Sequence, residues 1–235
     1  MTIRLLLAIG ILGIALGLTG DLGEMQSLSA NPIDWSPGKA VGYKEILEAE
    51  QILQRLGYWT GPIDGEMDEA SRHALIAFKK IAAQPATAQL TGTVLKALRK
   101  ATRPSARFKG GFHIEVDLTR QVLFVVAESG LVKLTLPVST GNGTLFTENG
   151  WARYAVTPRG TFVVYKKIAE WRKSSLGELY YPSYIIGGVA VHGSRLVPTH
   201  PATHGCIAIP MHAAEQLSKM MPIGTTVIVY GRPRR

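Results

Sequence analysis

The hydrophobic pattern of this 235-residue chain changes period near residue 112. Before that point apolar residues recur every three to four positions, as on one face of a helix, and after it they alternate with polar residues, as in a strand. One kind of element cannot satisfy both periods, so the change predicts an α+β protein with two domains. We expect a small three-helix domain over residues 40–102 and a mostly β domain over residues 111–231, joined by a polar connector.

Each of the three predicted helices carries its own end signals. The first is expected to end at Gly57, and the second and third to begin at the capping residues Asp68 and Thr91. A turn-rich loop at residues 61–65 separates the first two helices. Because a unit of about 60 residues is close to the lower limit for independent folding, we expect the second domain to support it.

The β domain begins with a clear alternation, in which Ile114, Val116 and Leu118 are separated by polar residues. This pattern predicts a half-buried strand. Other β-type runs and one helical run follow it, the runs at residues 121–127, 131–138, 161–166, 180–186, 189–191 and 225–230 and the helix at residues 211–221.

Two irregular segments of the β domain bear on function. The pair Gly187-Gly188 predicts a two-residue hairpin turn that delivers His192 to the end of a strand, where a base can hold its orientation. Residues 139–157 are predicted to form a long loop, which is either a functional lid or binding loop or a mobile surface excursion.

The N-terminus has the pattern of a secretory signal, because Arg4 precedes an uncharged run from residue 5 to residue 18. A run of about 14 apolar residues is shorter than the roughly 20 that a spanning helix needs. We therefore predict that residues 1–30 are a signal peptide and that the protein is exported to the periplasm or cell wall. The alternative is an uncleaved anchor on the outer face of the inner membrane.

Cys206 is the only cysteine in the chain. Oxidising compartments favour paired cysteines, so a single thiol in an exported protein favours a working nucleophile over a structural residue. A second His-Gly pair, His192-Gly193, lies 206 − 192 = 14 positions upstream and supplies a candidate base. We expect the imidazole to lower the pKa of the thiol. The alternative is that Cys206 is a small buried hydrophobic residue.

The whole formal net charge of +9 lies in the second half of the chain. Residues 1–102 hold ten basic and ten acidic residues, whereas residues 103–235 hold sixteen basic and seven acidic ones. Such a field favours polyanions or substrates that bear carboxylates. Nucleic acid is not the expected partner, because the chain has no aromatic stacking motif and no recognition helix.

Four motifs of the second half occur in the order seen in one enzyme family, namely Ser139-Thr140-Gly141, Thr157-Pro158-Arg159-Gly160-Thr161-Phe162, Val191-His192-Gly193 and Thr203-His204-Gly205-Cys206. Over about residues 112–230 the chain resembles L,D-transpeptidase catalytic domains of the YkuD type. The resemblance implies a sandwich-like β fold and a role in cell-wall organisation and cell shape. It also implies a reaction in which the cysteine is acylated by a peptidoglycan tetrapeptide stem, releases D-alanine and transfers the acyl group to an amine of another stem.

The resemblance also assigns roles around the cysteine. Cys206 is the expected nucleophile, His192 the general base, and the Gly193 carbonyl the group that orients the imidazole. The backbone amides around His204, Gly205 and Cys206 are expected to form the oxyanion hole. The His204 side chain is expected to orient the loop, with a purely structural role as the alternative.

Three further residues are predicted to bind substrate, namely Tyr184, Arg195 and Thr203. Core packing is the alternative for Tyr184. The family commonly has arginine two residues after the cysteine, where this chain has Ala208. Arg195 is a candidate substitute, and a solvated loop charge is its alternative.

The first domain resembles the three-helix peptidoglycan-binding domain of bacterial wall enzymes, through Leu56-Gly57-Tyr58, the loop at residues 61–65 and the run at residues 74–78. The resemblance implies that peptidoglycan, both stem peptide and glycan, is the partner. Tyr58, Trp59 and Asp64 are interpreted either as wall contacts or as ordinary loop residues.

Three other functions stay open from the sequence. Water as the acceptor would make the protein an L,D-carboxypeptidase, and Ala208 together with the altered first domain is compatible with a wall-binding protein whose site has decayed. His192, His200, His204 and Cys206 have the donor types of a metal site, but Pro198 and Pro201 interrupt the helix that would align two of them. No cofactor and no metal are predicted for the reaction.

Overall fold

The computed structural model describes residues 41–148 and 150–233. It contains four helices and twelve strands within these residues, namely α1 (Tyr43–Arg55), α2 (Glu69–Ile81), α3 (Gly92–Lys100), β1 (His113–Asp117), β2 (Val122–Val126), β3 (Val132–Pro137), β4 (Leu145–Glu148), β5 (Trp151–Tyr154), β6 (Gly160–Val163), β7 (Lys166–Lys167), β8 (Trp171–Ser174), β9 (Gly177–Ile186), β10 (Val189–Ser194), β11 (Ile207–Pro210), α4 (Met211–Met220) and β12 (Thr226–Tyr230). The helical domain (α1 to α3) and the strand domain (β1 to β12 with α4) belong to one compact unit, and the α+β class is confirmed.

The helical domain forms at the positions that its end signals predict. The Asp68 carboxylate accepts from the Ser71 amide at 2.7 Å, and the Thr91 hydroxyl accepts from the Val94 amide at 3.3 Å. Each cap satisfies an amide that the first turn of a helix leaves without a partner. Gly57 follows α1 with φ +86°, the left-handed conformation that favours glycine.

A buried glutamate, Glu50, organises the loop after α1. Its carboxylate accepts from the amides of Asp64 and Gly65 and from the Ser71 hydroxyl. The Asp64 side chain in turn accepts from the amide of Glu66. Asp64 braces this loop through its amide and its carboxylate, and because its side chain is exposed, contact with the wall stays a prediction.

The strand domain has two five-stranded sheets. One of them, which we call the large sheet, has the order β3-β2-β1-β12-β6. The other has the order β11-β10-β9-β7, with β8 paired to β9, and we call it the site sheet because its strand β10 carries His192. The strand β1 pairs with β12 in parallel and with β2 in antiparallel orientation. One apolar cluster with members on both sheets and on α4 forms the core, and α4 packs against β9 and β10.

The expected half-burial of β1 is wrong, since all five of its residues are buried. The outward-facing Glu115 is 0% exposed because the connector lies over it. Its carboxylate accepts from the amides of Arg107 and Phe108, at 3.0 and 2.7 Å, and contacts the His113 imidazole at 3.1 Å. The polar residues on the outer face of β1 are therefore not exposed to solvent, because they bind the connector between the two domains.

Helix α2 covers another part of the same outer face. A small apolar cluster joins Val122, Phe124, Val126 and Val132 of the large sheet to Ile81 of α2. The loop after α1 also docks, since the Thr135 amide donates to the Gly57 carbonyl at 2.7 Å. As expected for a unit of this size, the helical domain is supported by the strand domain.

Tyr58, at this junction, is a core residue rather than a candidate wall contact. It is 2% exposed and packs edge-on against Phe78, with the ring centroids 6.0 Å apart. Its neighbour Trp59 is partly buried against the core of the strand domain. Burial therefore removes Tyr58 from the candidate wall contacts, whereas Trp59 stays a prediction.

Lys80 of α2 reaches across the junction. Its ammonium group donates to the carbonyls of Gln121 and Val138, at 3.0 and 2.9 Å, which flank the hairpin of β2 and β3. Burial lowers the pKa of Lys80 to about 7. A basic group of the helical domain thus holds the backbone just before the Ser139-Thr140 segment.

Several irregular segments differ from expectation. The long loop at residues 139–157 contains a hairpin of β4 and β5, whose strands are mostly exposed. The strands β8 and β11 were not predicted, because their short runs lack a clear period of two. The hairpin turn at Gly187-Gly188 is confirmed, with Gly187 at φ +51° between β9 and β10.

The predicted signal peptide or anchor, residues 1–30, lies outside the described residues. Within residues 41–148 and 150–233, no helix has the length and apolar character that crossing a membrane would require.

Candidate active site

Cys206 and His192 lie on one face of the site sheet. The strands β10 and β11 are parallel, with His192 opposite Ala208 and Val191 opposite Ile207. Cys206 directly precedes β11, and the alternation of that strand, continued by one residue, puts Cys206 on the same face as Ala208 and therefore as His192. Strand geometry puts their Cα atoms about 8 Å apart, a separation that a thiol and an imidazole can span together.

The His192 imidazole is held in one tautomer. Its Nδ1–H donates to the carbonyl of Gly193 at 2.9 Å, so the Nε2 lone pair is left to accept a proton. The side chain is 8% exposed, and burial lowers its pKa. At neutral pH the imidazole is therefore uncharged, which is the state that a general base needs.

The thiol of Cys206 points away from His192 and toward the Gly188 carbonyl. Its Sγ donates to the Gly188 carbonyl at 3.6 Å, and within the described residues it has no hydrogen bond to His192. Burial raises the pKa of the thiol, so the expectation of a lowered pKa is wrong for this state. The sequence could not show this, because desolvation outweighs a neighbouring imidazole that is itself uncharged.

Hydroxyl groups brace the loop that carries the cysteine. Thr203 donates to the Cys206 carbonyl at 2.6 Å and accepts from the Gly205 amide at 3.1 Å. Thr157 donates to the Gly205 carbonyl at 2.8 Å and accepts from the Gly141 amide at 2.9 Å. The structure thus gives Thr203 a positioning contact, and its predicted contact with substrate stays a prediction.

Gly205 allows the loop to turn close to the segment between β5 and β6. Its φ of +137° is one that residues with a side chain rarely adopt, and a Cβ would lie 3.0 Å from the Val156 carbonyl oxygen. The Gly205 amide is already bonded to Thr203. In the described part of the chain, the amides of His204 and Cys206 have no acceptor, so they are the remaining candidates for an oxyanion hole.

His204 lies under the β4–β5 hairpin. Its exposed ring packs against Phe146 of β4, with the centroids 4.7 Å apart and the planes at 57°. Near the tip of β8 and β9, Ser175 donates to Glu148 of the same hairpin at 2.7 Å. The hairpin therefore rests on the cysteine loop at one point and on the β8–β9 turn at another.

Tyr184 lies close to the cysteine. Burial raises the pKa of the Tyr184 hydroxyl, and the nearby Cys206 thiol contributes to the same shift to a smaller extent. The Lys166 ammonium lies 5.7 Å from the centre of its ring, and the guanidinium of Arg172 also acts on its hydroxyl. Sequence reasoning missed Lys166 and Arg172, because only the pairing of β7 and β8 with β9 brings them to this tyrosine.

Arg195 is held elsewhere on the sheet. Its guanidinium lies over the Trp171 ring, 4.7 Å from the centroid, beside the end of β9 that pairs with β8. Tyr180 is the partner of Trp171, whereas Tyr184, near the cysteine, lies four residues further along β9. The structure does not bring Arg195 to the cysteine, and its predicted role in substrate binding stays a prediction.

Polar residues beside β11 support the strand that follows the cysteine. Ser139 exchanges two backbone hydrogen bonds with Ala208, and its hydroxyl donates to the His200 carbonyl at 2.8 Å. The Thr140 carbonyl accepts from the amide of Thr203. The Gln121 side chain accepts from the Thr140 amide and donates to the Thr140 hydroxyl. Ala208, which stands where the family commonly has arginine, is 3% exposed, so this position is buried.

The four residues considered as a metal site do not form one. Among the described residues, the cluster of three or more suitable donors is Glu69, His73 and His212, away from the cysteine. His200 is exposed, and His204 packs on Phe146 instead.

Comparison with known proteins bears on both halves of the chain. Residues 111–229 match the family model of the L,D-transpeptidase catalytic domain, and residues 42–98 match that of a peptidoglycan binding domain. No match was found among curated proteins.

Solved structures agree with the first of these models. The chain is similar to an L,D-transpeptidase from Xylanimonas cellulosilytica, with 36% identity over 83% of this chain and 97% of that chain and a TM-score of 0.77. It is also similar to an L,D-transpeptidase from Stackebrandtia nassauensis, with 22% identity, 82% and 93% coverage and a TM-score of 0.48. An L,D-transpeptidase catalytic domain from E. faecium matches with 25% identity, 53% and 100% coverage and a TM-score of 0.41.

The last two likenesses are too slight to carry an argument, but the first is not. Its identity and coverage, together with a family model that spans half of the chain, place the chain in a known class of enzymes that modify peptidoglycan. The chain belongs to the L,D-transpeptidase family.

Proposed function

We propose that the protein is a cysteine-dependent L,D-transpeptidase that forms a thioester between Cys206 and a peptidoglycan tetrapeptide stem. The observation that carries the proposal is the shared sheet face of Cys206 and His192, with the imidazole fixed by the Gly193 carbonyl so that Nε2 keeps its lone pair. Such a base next to a thiol is the arrangement that nucleophilic catalysis requires.

The first half-reaction starts from two neutral groups. The thiol turns from the Gly188 carbonyl toward His192, and Nε2 takes its proton as sulfur attacks the carbonyl before the terminal D-alanine. The amides of His204 and Cys206 stabilise the oxyanion. The carbon–nitrogen bond then breaks, and the imidazolium returns the proton to the leaving amine of D-alanine.

The second half-reaction uses the same groups in reverse. An amine of a second stem, as the neutral acceptor, attacks the thioester carbonyl while Nε2 takes one of its protons. Collapse of the intermediate breaks the carbon–sulfur bond, and the thiolate regains a proton from the imidazolium. The products are a new amide cross-link and the resting thiol.

Positive charge near the cysteine supports a substrate that bears carboxylates. Lys166 and Arg172 lie around Tyr184, on the side of the site sheet that carries the cysteine. We infer that these residues, with Tyr184, bind the donor stem and substitute for the arginine that Ala208 replaces.

The two domains act on one polymer in this proposal. Residues 40–102 position the enzyme on peptidoglycan, and residues 111–231 carry out the reaction. Because peptidoglycan lies outside the cytoplasm, we also propose export through residues 1–30, with cleavage or anchoring as alternatives.

Acylation by a carbapenem tests the thiol directly. Its β-lactam carbonyl is an acyl donor, so intact-protein mass spectrometry should show one drug adduct on the wild-type chain. Cys206→Ala should show none, and His192→Ala should form the adduct much more slowly. A folded wild-type protein without an adduct would contradict the proposal.

A tetrapeptide assay separates the possible acceptors. Cross-linked dimers with released D-alanine support transpeptidation, whereas D-alanine with tripeptide alone shows an L,D-carboxypeptidase. Lys166→Gln and Arg172→Gln should each raise the KM for the tetrapeptide, while Lys96→Gln, an exposed change in the helical domain, should leave it unchanged.

A further inference from the structure

Two histidines from different domains face each other next to a glutamate. Glu69 and His73 lie four residues apart in α2 and so share one face of that helix, with Glu69 Oε1 and His73 Nδ1 4.0 Å apart. His212 lies in the first turn of α4 in the strand domain, and its ring centre is 5.4 Å from that of His73. One donor atom from each of the three residues lies within 4.8 Å of the others.

The His73 imidazole has a polar atom that lacks a partner. Its Nδ1 is buried and has no hydrogen bond in the described part of the chain. A buried nitrogen without a partner costs free energy, so such atoms call for a physical explanation. His212 is exposed and His73 is half-buried, so a ring nitrogen of each can be reached by an ion from solvent.

The donor set selects one class of ligand. Two imidazoles and a carboxylate are the ligands of zinc in many three-residue sites, in which water takes the fourth position. Hard cations such as Mg²⁺ prefer oxygen donors alone. The Glu69 carboxylate offsets part of the charge of a divalent ion, and Asp68 lies near His212 as a further negative charge.

We propose that Glu69, His73 and His212 bind a divalent transition-metal ion of the zinc type, which bridges the helical domain to the strand domain. The bound ion gives the buried Nδ1 its partner and joins α2 to α4. Because α4 packs against β10, which carries His192, the ion fastens the helical domain to the layer behind the active site. The site is independent of the cysteine chemistry.

Calorimetric titration with Zn²⁺ tests the site. The full chain carrying Cys206→Ala, which removes the thiol as a competing ligand, is first treated with a chelator. One saturable equivalent of Zn²⁺ should bind, and Mg²⁺ should not. Zn²⁺ at about 100 times its dissociation constant should raise the melting temperature by about 5 °C.

Ligand variants in the same background assign the binding. His73→Gln and His212→Gln should each weaken Zn²⁺ binding at least about tenfold, and Glu69→Gln, an exposed change that leaves the fold intact, should also weaken it. The matched control His200→Gln changes an exposed histidine elsewhere and should bind Zn²⁺ as tightly as the parent. Absence of saturable binding in the parent, or unchanged affinity in Glu69→Gln and both histidine variants, would overturn the proposal.

Discussion

The strand pair β10–β11 and the junction between α2 and the large sheet each bury a basic side chain to the same degree. His192 and Lys80 are both 8% exposed, and burial lowers the pKa of both. The Lys80 ammonium donates to two backbone carbonyls. The His192 ring donates to one carbonyl through Nδ1 and keeps the lone pair of Nε2, on the face that carries the thiol. A shifted pKa alone therefore does not distinguish a reactive group from a structural one, and the partners of the group do.

Replacing His192 should have the largest effect on the rate of acylation. His192→Gln keeps a polar side chain, but an amide cannot accept the proton of the thiol. The rate of carbapenem acylation should therefore fall by about 10²- to 10⁴-fold. Stopped-flow fluorescence or timed mass spectrometry measures this rate. His200→Gln, an exposed change, is the control, and equal rates in His192→Gln and wild type would remove His192 from the reaction.

The same residue sets the pH dependence of acylation in the wild type. Since burial lowers the pKa of His192 below its ordinary 6.5, the uncharged base is present at neutral pH and is lost as pH falls through that lowered pKa. The acylation rate should therefore be flat near neutrality and fall in acid. A rate that increases as the pH is lowered from 7 would contradict this assignment.

Lys80 should show its effect in stability rather than in rate. Lys80→Met leaves the Val138 carbonyl without this donor, at a cost of about 1–3 kcal/mol, but also removes a buried amine. In the wild type, the unfolded state holds the Lys80 proton up to its ordinary pKa of 10.5 and the folded state only up to about 7. Stability from this residue therefore rises with pH between these values and is lowest below pH 7.

Urea unfolding at pH 6 and pH 9 measures that difference. The wild-type free energy of unfolding, minus that of Lys80→Met, should be larger at pH 9 than at pH 6. Lys96→Met, at an exposed position of α3, should give a difference that does not change with pH. A pH-independent difference for Lys80→Met would mean that its amine keeps an ordinary pKa.

Thr157 connects the cysteine loop to the Ser139-Thr140-Gly141 segment. Thr157→Val keeps the shape of the side chain but removes the hydroxyl that joins Gly141 to Gly205, so acylation should slow about tenfold. Thr157→Ser should restore most of the rate, because it restores the hydroxyl. Equal rates in the valine and serine variants would show that this hydrogen bond does not position the loop.

Phe146 should give the smallest effect. Phe146→Ala removes the ring that packs on His204, a contact worth about 0.5–1.5 kcal/mol between aromatic groups. The kcat/KM for tetrapeptide should fall less than about tenfold, with little change in melting temperature. Leu145→Ala, a 59% exposed neighbour, is the control, and a fall in melting temperature of Phe146→Ala alone would make the contact structural.

The local signals of the sequence were sufficient for most elements. The caps Asp68 and Thr91, the end of α1 at Gly57 and the hairpin turn at Gly187 depend on residues within a few positions, and all are confirmed. The strands β8 and β11 and the hairpin of β4 and β5 were missed, because their short runs lack a clear period of two, even though β4–β5 and β8–β9 pair with near neighbours in the chain. Cys206 and His192 could be named from their motifs, but their common face depends on the register of β10 and β11.

The sequence by itself determined the change from helices to strands, the identity of the thiol and its base, and the family to which they belong. Only the tertiary structure decided that β1 is buried on both faces, that burial raises the pKa of the Cys206 thiol, and that Lys166 and Arg172 approach Tyr184. The physical reason is that burial and pKa depend on what packs against a residue, and packing partners such as the connector over Glu115 lie at sequence distances that no local period reports.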